Sequence, residues 1–140
     1  MTVVVEDVLA AFLRRWTLHL VSVIIPGGLH LGQVRQDVET PYGTMVGATL
    51  ESQFTSGLTI HEFEVTVSIW SDRGVVGMGD AAKYLADAFD WRQTPDLSIP
   101  GGTVLAARPT TGSIELDQAQ RRAGDICLHT AHWSVFVEAR

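Results

Sequence analysis

The chain of 140 residues lacks the features on which disulfide-rich and membrane-spanning proteins depend. It contains one cysteine, Cys127, so no disulfide can form within the chain. The stretch nearest to a transmembrane segment, residues 18–25, has only eight residues and includes a histidine and a serine. A spanning helix needs roughly 20 apolar residues. The sequence therefore predicts neither a disulfide-stabilised fold nor a transmembrane helix.

Positive charge is also scarce. The 10 lysines and arginines are outnumbered by 16 aspartates and glutamates, which gives a net charge of −6. Proteins that grip nucleic-acid phosphates normally carry a basic surface. This balance argues against such a protein, although it permits a surface past which nucleic acid slides. The length, with 46% hydrophobic and 19% charged residues, predicts one globular domain over residues 1–140.

Catalytic and metal-binding motifs are missing as well. The chain has no G-x-S-x-G elbow, and no G-K-[ST] follows its glycine pairs. His129 and His132 are three residues apart, and on a strand they would face opposite sides, so they could not converge on a metal. Cys127 and His129 share a face, and with His61 on a neighbouring strand they form an alternative zinc site. We expect no enzyme activity, no cofactor and no bound zinc.

The most regular pattern in the chain is the alternation over residues 61–69. Apolar residues and one histidine occupy the odd positions, and carboxylates and hydroxyls occupy the even ones: His61, Phe63, Val65, Val67 and Ile69 against Glu62, Glu64, Thr66 and Ser68. Successive side chains of a strand point to opposite faces, so this is typical of a half-buried β-strand. We expect the odd residues from Phe63 onward to be buried with Val135, Val137, Leu85 and Phe89.

Helices and further strands surround this strand in a fixed order. Apolar residues recur at helical spacing over residues 5–20 and again over residues 75–89, where the glycines place the helix start near Asp80. A strand over residues 44–51 is joined to the central strand by a long connection, residues 52–59. A turn is expected at residues 110–112. The order predicts an α+β fold, with an antiparallel or mixed β-sheet and two main helices packed on one face.

Several stretches in this order resemble one protein family. They are "IPGGLHLGQV", "TPYG", "FTSGLTIHEFEVTVSIWSD", "DAAKYLADAFD", "LSIPGG", "GSIEL" and "RRAGDICLHTAHWSVFVEAR". Together they span nearly the whole chain and resemble the tail terminator (tail completion) family of long-tailed bacteriophages. The resemblance implies a virion protein of the tail and neck, assembled in the host cytoplasm, with no enzyme activity and no cofactor.

The partners follow from the same resemblance. It implies a homo-oligomer in the form of a hexameric ring, which caps the tail tube protein, stops its polymerisation and meets the head-tail connector or neck protein. Double-stranded DNA would pass through the channel without specific binding. Two alternatives remain open at this point. One is another neck protein, such as a head-completion or connector-adaptor protein, and the other is a small-molecule-binding or enzymatic α+β domain.

Two sets of residues are candidates for the surfaces of such a ring. Phe54, Leu58 and Ile60 lie in or beside the hairpin connection, where monomers seldom keep apolar groups. They are candidates for an interface, and the alternative is that they fold back onto the core. Glu62 and Glu64 are candidates for the channel wall, because carboxylates hold no phosphate. The alternatives for these two residues are contact with a neighbouring subunit or with solvent.

Overall fold

The fold is a five-stranded mixed sheet with helices on one face. A computed structural model describes residues 3–32, 39–55, 57–71, 78–90, 99–113 and 126–139. Its helices are α1 (Val5–Leu18), α2 (Val21–Ile24) and α3 (Met78–Ala88), and its strands are β1 (Leu29–Leu31), β2 (Tyr42–Thr55), β3 (Leu58–Ser71), β4 (Gly102–Ser113) and β5 (Ile126–Ala139). The strand order is β1-β2-β3-β5-β4. Only the β1–β2 pair is parallel. The α+β class and the mixed sheet are as predicted.

Strand β3 lies at the centre of the sheet, as its alternation requires. Its odd residues from His61 to Ile69 are buried, and its even residues are half-exposed. Val65 pairs with Gly47 of β2 on one side and with Trp133 of β5 on the other. The predicted core set is confirmed, because Phe63, Val65, Val67, Ile69, Leu85, Phe89, Val135 and Val137 all belong to one buried cluster.

An aromatic cluster holds both long helices against the same face of the sheet. Phe12 of α1 and Phe89, directly after α3, lie with ring centroids 4.6 Å apart. Both rings also meet Trp133 of β5 edge-on, at 6.1 Å and 5.2 Å. Edge-to-face packing of this kind is favourable beyond the area that it buries. Both helices therefore cover the face that carries the odd residues of β3.

Glycine lets α1 approach β2 closely. A Cβ atom added at Gly47 would lie 2.9 Å from side-chain carbons of both Val5 and Leu9. Real Cβ atoms essentially never come this close to neighbouring atoms, so with a larger residue at this position the side chains of Val5 and Leu9 would have to shift. Gly47, which weakens the strand propensity of its segment, thus leaves room for side chains of α1 against the sheet.

Two expectations about connections were wrong. The segment 52–59 is not a long connection, because β2 continues to Thr55, which pairs with Leu58 of β3. Gly57 has φ +83°, a conformation that glycine adopts without strain and that tight hairpins need. The turn expected at residues 110–112 is also absent, since β4 runs on to Ser113 with register shifts at Val104/Ala106 and Pro109/Thr111.

Candidate functional site

The face of the sheet opposite α1 and α3 carries the carboxylates and hydroxyls of β3 together with some apolar side chains, and it is covered by no helix among the described residues. Its middle rows are tied together across strands by side-chain hydrogen bonds. One joins Thr66 Oγ1 to His132 Nδ1 at 2.9 Å, and a longer one joins Ser68 Oγ to Thr130 Oγ1 at 3.3 Å. We call this surface the uncovered face. Its hydroxyl-bearing half lies toward the end of the sheet where β3 finishes.

Carboxylates gather on the other half of the uncovered face, near the hairpin. Glu62 and Glu64 lie there as the alternation predicted, and both are half-exposed. Two further acids join them: Glu51 pairs directly with Glu62, and Glu138 pairs with Ile60. Arg108, opposite Ser134 in the row of Glu64, is the one lysine or arginine in the described strands. The arrangement makes this half of the surface repulsive to anions.

Glu51 could not be placed on this face from the sequence, because a β-bulge brings it there. The register of β2 against β3 shifts between Thr49 and Glu51, so that Leu50 has no opposite residue. Without the extra residue, the alternation from Ala48 would place Glu51 on the helix-covered side. The like-charged Glu51–Glu62 pair opposes strand pairing, since equal charges directly opposite each other are destabilising.

The β2–β3 hairpin ends in apolar side chains on both of its sides. Phe54 is 78% exposed, and Leu58 is 47% exposed. Ile60 is half-buried and pairs with Gln53. By strand alternation Leu58 and Ile60 lie on the uncovered face, whereas Phe54 lies on the opposite side of the hairpin. The structure thus brings Leu58 and Ile60 together and separates Phe54 from them. We call residues 53–60 the hairpin tip.

The histidines lie apart rather than in one site. His132 contacts Thr66 on the uncovered face, while His129 pairs with Ile69 in the alternating series that faces the helices. Burial lowers the pKa of His129 below its usual value. His61 is buried, and its Nδ1 lies 2.7 Å from Ser52 Oγ. The side chain of Cys127 is outside the described set, and no three potential ligands converge among the residues that were described.

An exposed apolar surface that the sequence reading did not single out lies where α1 gives way to α2. Leu18, Leu20, Val23 and Ile24 are all exposed there, and Leu18 reaches 80%. We call these four residues the α1–α2 corner. The signal was present in the sequence, because the eight-residue stretch 18–25 is apolar at positions that cannot all face one core.

His19 holds the two helices of the corner together. Its Nδ1 accepts a hydrogen bond from the backbone N–H of Val21 at 3.1 Å, at the first turn of α2. Burial, with a smaller contribution from Arg15, lowers the pKa of His19, and Asp87 opposes this effect. The neutral imidazole is thus favoured, which agrees with its acceptor role, since a protonated Nδ1 could not accept the Val21 N–H.

None of the helices in the described part of the chain has both the length and the apolar character to cross a membrane.

Comparison with solved structures finds this fold in other proteins. Sixteen chains match. One of them comes from the virion of the native gene transfer agent (GTA) particle and superposes with a TM-score of 0.67, covering 93% of this chain and 91% of that chain at 12% sequence identity. At this identity the likeness shows a shared fold. No family model matches the chain, and no curated protein matches it.

Proposed function

We propose that this chain is a structural protein of a phage-like particle, one that ends the growth of a tail tube and joins the tube to the head or neck. The observation that carries the proposal is the fold shared with a chain of the gene transfer agent virion over nearly the full length of both. The sequence resemblance to tail terminators supports the more specific role. In this role the chain acts without a catalytic site or cofactor, within the tail and neck of a particle assembled in the host cytoplasm.

A ring of six copies around a channel is the assembly proposed for this role. Exposed apolar side chains at the hairpin tip and at the α1–α2 corner support assembly, because monomers rarely expose such groups in clusters. The partners in this arrangement are the tail tube protein on one side of the ring and the connector or neck protein on the other.

Loss of the gene from the genome that encodes the particle tests the role. A tail terminator is expected to be needed for tube length, so particles made without it should carry tubes of irregular and excessive length in negative-stain images. A head-completion or connector-adaptor protein would instead leave tails of normal length that are detached from heads. Particles of unchanged structure would contradict any role in the virion.

The uncovered face is proposed as the wall of the DNA channel. Glu51, Glu62, Glu64 and Glu138 share this face, with Arg108 as the only lysine or arginine in its described part. Phosphates that pass such a wall meet no cluster of lysines or arginines that could displace their counterions, so duplex DNA moves without being held.

A charge reversal on this wall should create DNA binding. In Glu62→Lys/Glu64→Lys we expect non-specific affinity for a short duplex to rise by about tenfold or more at low salt, and the gain to fall steeply as salt is added. Fluorescence anisotropy of a labelled duplex measures it. Glu6→Lys/Asp80→Lys is the matched control, with the same charge change on exposed helix positions. An equal gain in affinity for the control variant would mean that net charge causes the effect, and the proposal that this face lines the channel would be rejected.

A further inference from the structure

Three of the four residues of helix α2 are apolar, and the fourth is Ser22, although the helix lies at the surface. Val21 and Ile25 point into the core and are completely buried. Leu20, Val23 and Ile24, at the spacing of one helical face, are exposed, and Val23 reaches 71%. A surface helix normally keeps its apolar residues on the side that faces the core, whereas here apolar residues also lie on the exposed side. The exposed side of α2, with Leu18 beside it, therefore has the character of a surface that another protein covers.

The hairpin tip of the same chain cannot be that cover. Trp16, two residues before the corner, contacts the start of β2, where its ring lies 3.2 Å from the Cβ position of Gly43. The hairpin turn follows Thr55 at the other end of β2. Twelve residues of extended strand separate the two points, which corresponds to about 35–40 Å. Any contact between the tip and a corner must therefore join different copies of the chain.

The strands that lead to the tip are acidic, and the chain segment that forms the corner is basic, with Asp87 of α3 as the acid that acts on His19 there. Strands β2 and β3 contain Glu51, Glu62 and Glu64 and no lysine or arginine. Residues 14–24 contain Arg14 and Arg15 and no aspartate or glutamate. The Nε of Arg15 donates to the carbonyl of Ala88 at 3.1 Å, which anchors this guanidinium beside the corner. Opposite charges around two apolar centres favour their association and select their orientation.

We infer that the α1–α2 corner of each subunit binds the hairpin tip of the next copy of this chain. The tip meets the neighbour end-on, so that Phe54 on one side of the hairpin and Leu58 on the other both contact its exposed Leu20, Val23 and Ile24. The contact uses two different patches, so it is heterologous and can propagate until a ring closes. The inference deepens the proposed function and rests on it for the closure of the ring, but the pairwise contact is testable by itself.

Two blocked variants of the full-length protein test the contact by mixing. The hairpin-blocked variant is Phe54→Asp/Leu58→Asp, and the corner-blocked variant is Leu20→Asp/Val23→Asp. We expect the wild type to form oligomers and each variant alone to be monomeric, with self-association weakened about 100-fold or more. Each variant keeps one intact patch, so an equimolar mixture should form one-to-one dimers and nothing larger. Size-exclusion chromatography with light scattering measures all four samples.

The controls separate folding from assembly. All substituted side chains are exposed, so far-UV circular dichroism of both variants should match the wild type. If the corner-blocked variant does not fold, Leu20→Ser/Val23→Ser replaces it. Val4→Asp/Leu105→Asp changes two exposed apolar residues outside both patches and should assemble as the wild type does.

Several outcomes would overturn the inference. They are a corner-blocked variant that still assembles, a mixture that remains monomeric, and a wild type that stays monomeric at high micromolar concentration. If any of these results is found while loss of the gene still disturbs tail length, the proposed function stands and the corner is assigned to contact with another virion protein. If the mixture forms dimers but loss of the gene leaves tails unaffected, the contact between copies is supported and the proposed function is rejected.

Discussion

Replacing both Phe54 and Leu58 with aspartate is expected to abolish control of tail length while the chain remains folded. Both side chains are exposed at the hairpin tip, so the core loses nothing. A tip that must be buried against a partner would instead carry two charges into an apolar contact, which costs several kcal/mol when the charges are unpaired. Tubes should lose their caps or grow to irregular lengths, and negative-stain measurement of tail lengths after complementation with the variant records the result.

The matched control for this experiment is Val4→Asp/Leu105→Asp, which adds the same two charges at exposed apolar positions elsewhere. Particles complemented with the control should carry tails of normal length. If the Phe54→Asp/Leu58→Asp variant itself still capped tubes at normal length, the hairpin tip would not be the contact, even if the wider role in tail assembly survived.

Truncation of Trp133 to alanine should cause the largest loss of stability of any single change in the sheet. Trp133 is almost completely buried and contacts the rings of both Phe12 and Phe89. Removing it separates both helices from the central strands and leaves a cavity, with an expected cost of about 3–5 kcal/mol in the free energy of unfolding. Urea denaturation at one fixed protein concentration measures the change, because assembly makes apparent stability depend on concentration.

Phe136 provides the comparison on the same strand. It lies on the uncovered face and is only half-buried, so Phe136→Ala should cost about 1 kcal/mol. Equal losses for the two variants would mean that the two faces of β5 are buried to the same extent, and that the uncovered face is closed by something bound to it. We expect Trp133→Ala to lower the free energy of unfolding much more than Phe136→Ala does.

Much of this fold is encoded in short-range periodicity. The alternation over residues 61–69 determined which side chains of β3 face the core, and the apolar stripe over residues 5–20 determined most of α1. Each of these patterns needs only neighbouring residues to bury one face, so it can be read from the chain alone. Glu62 and Glu64 were placed on the open side of the sheet in the same way.

Features that depend on strand partners were decided by the tertiary structure. A turn was predicted at residues 110–112, yet β4 continues past Pro109 to Ser113. The strand lies at the edge of the sheet, where a missing N–H costs no ladder bond. Gly47 indicated a weak strand, yet the strand forms, and side chains of α1 fill the space beside this glycine. The long connection predicted for residues 52–59 proved to be strand, because pairing with β3 extends to Thr55.

The residues of the candidate site also fall into those that the sequence placed and those that only the tertiary structure placed. The sequence alone determined that the chain carries apolar residues near residues 54–60 and acids at Glu62 and Glu64. Only the tertiary structure brought Glu51 and Glu138 to the same face, separated Phe54 from Leu58 by strand alternation, and left the outer side of α2 uncovered. The reason is physical: periodicity is a property of neighbours along the chain, whereas register, bulges and exposure depend on which distant segments pair and which surfaces remain without cover.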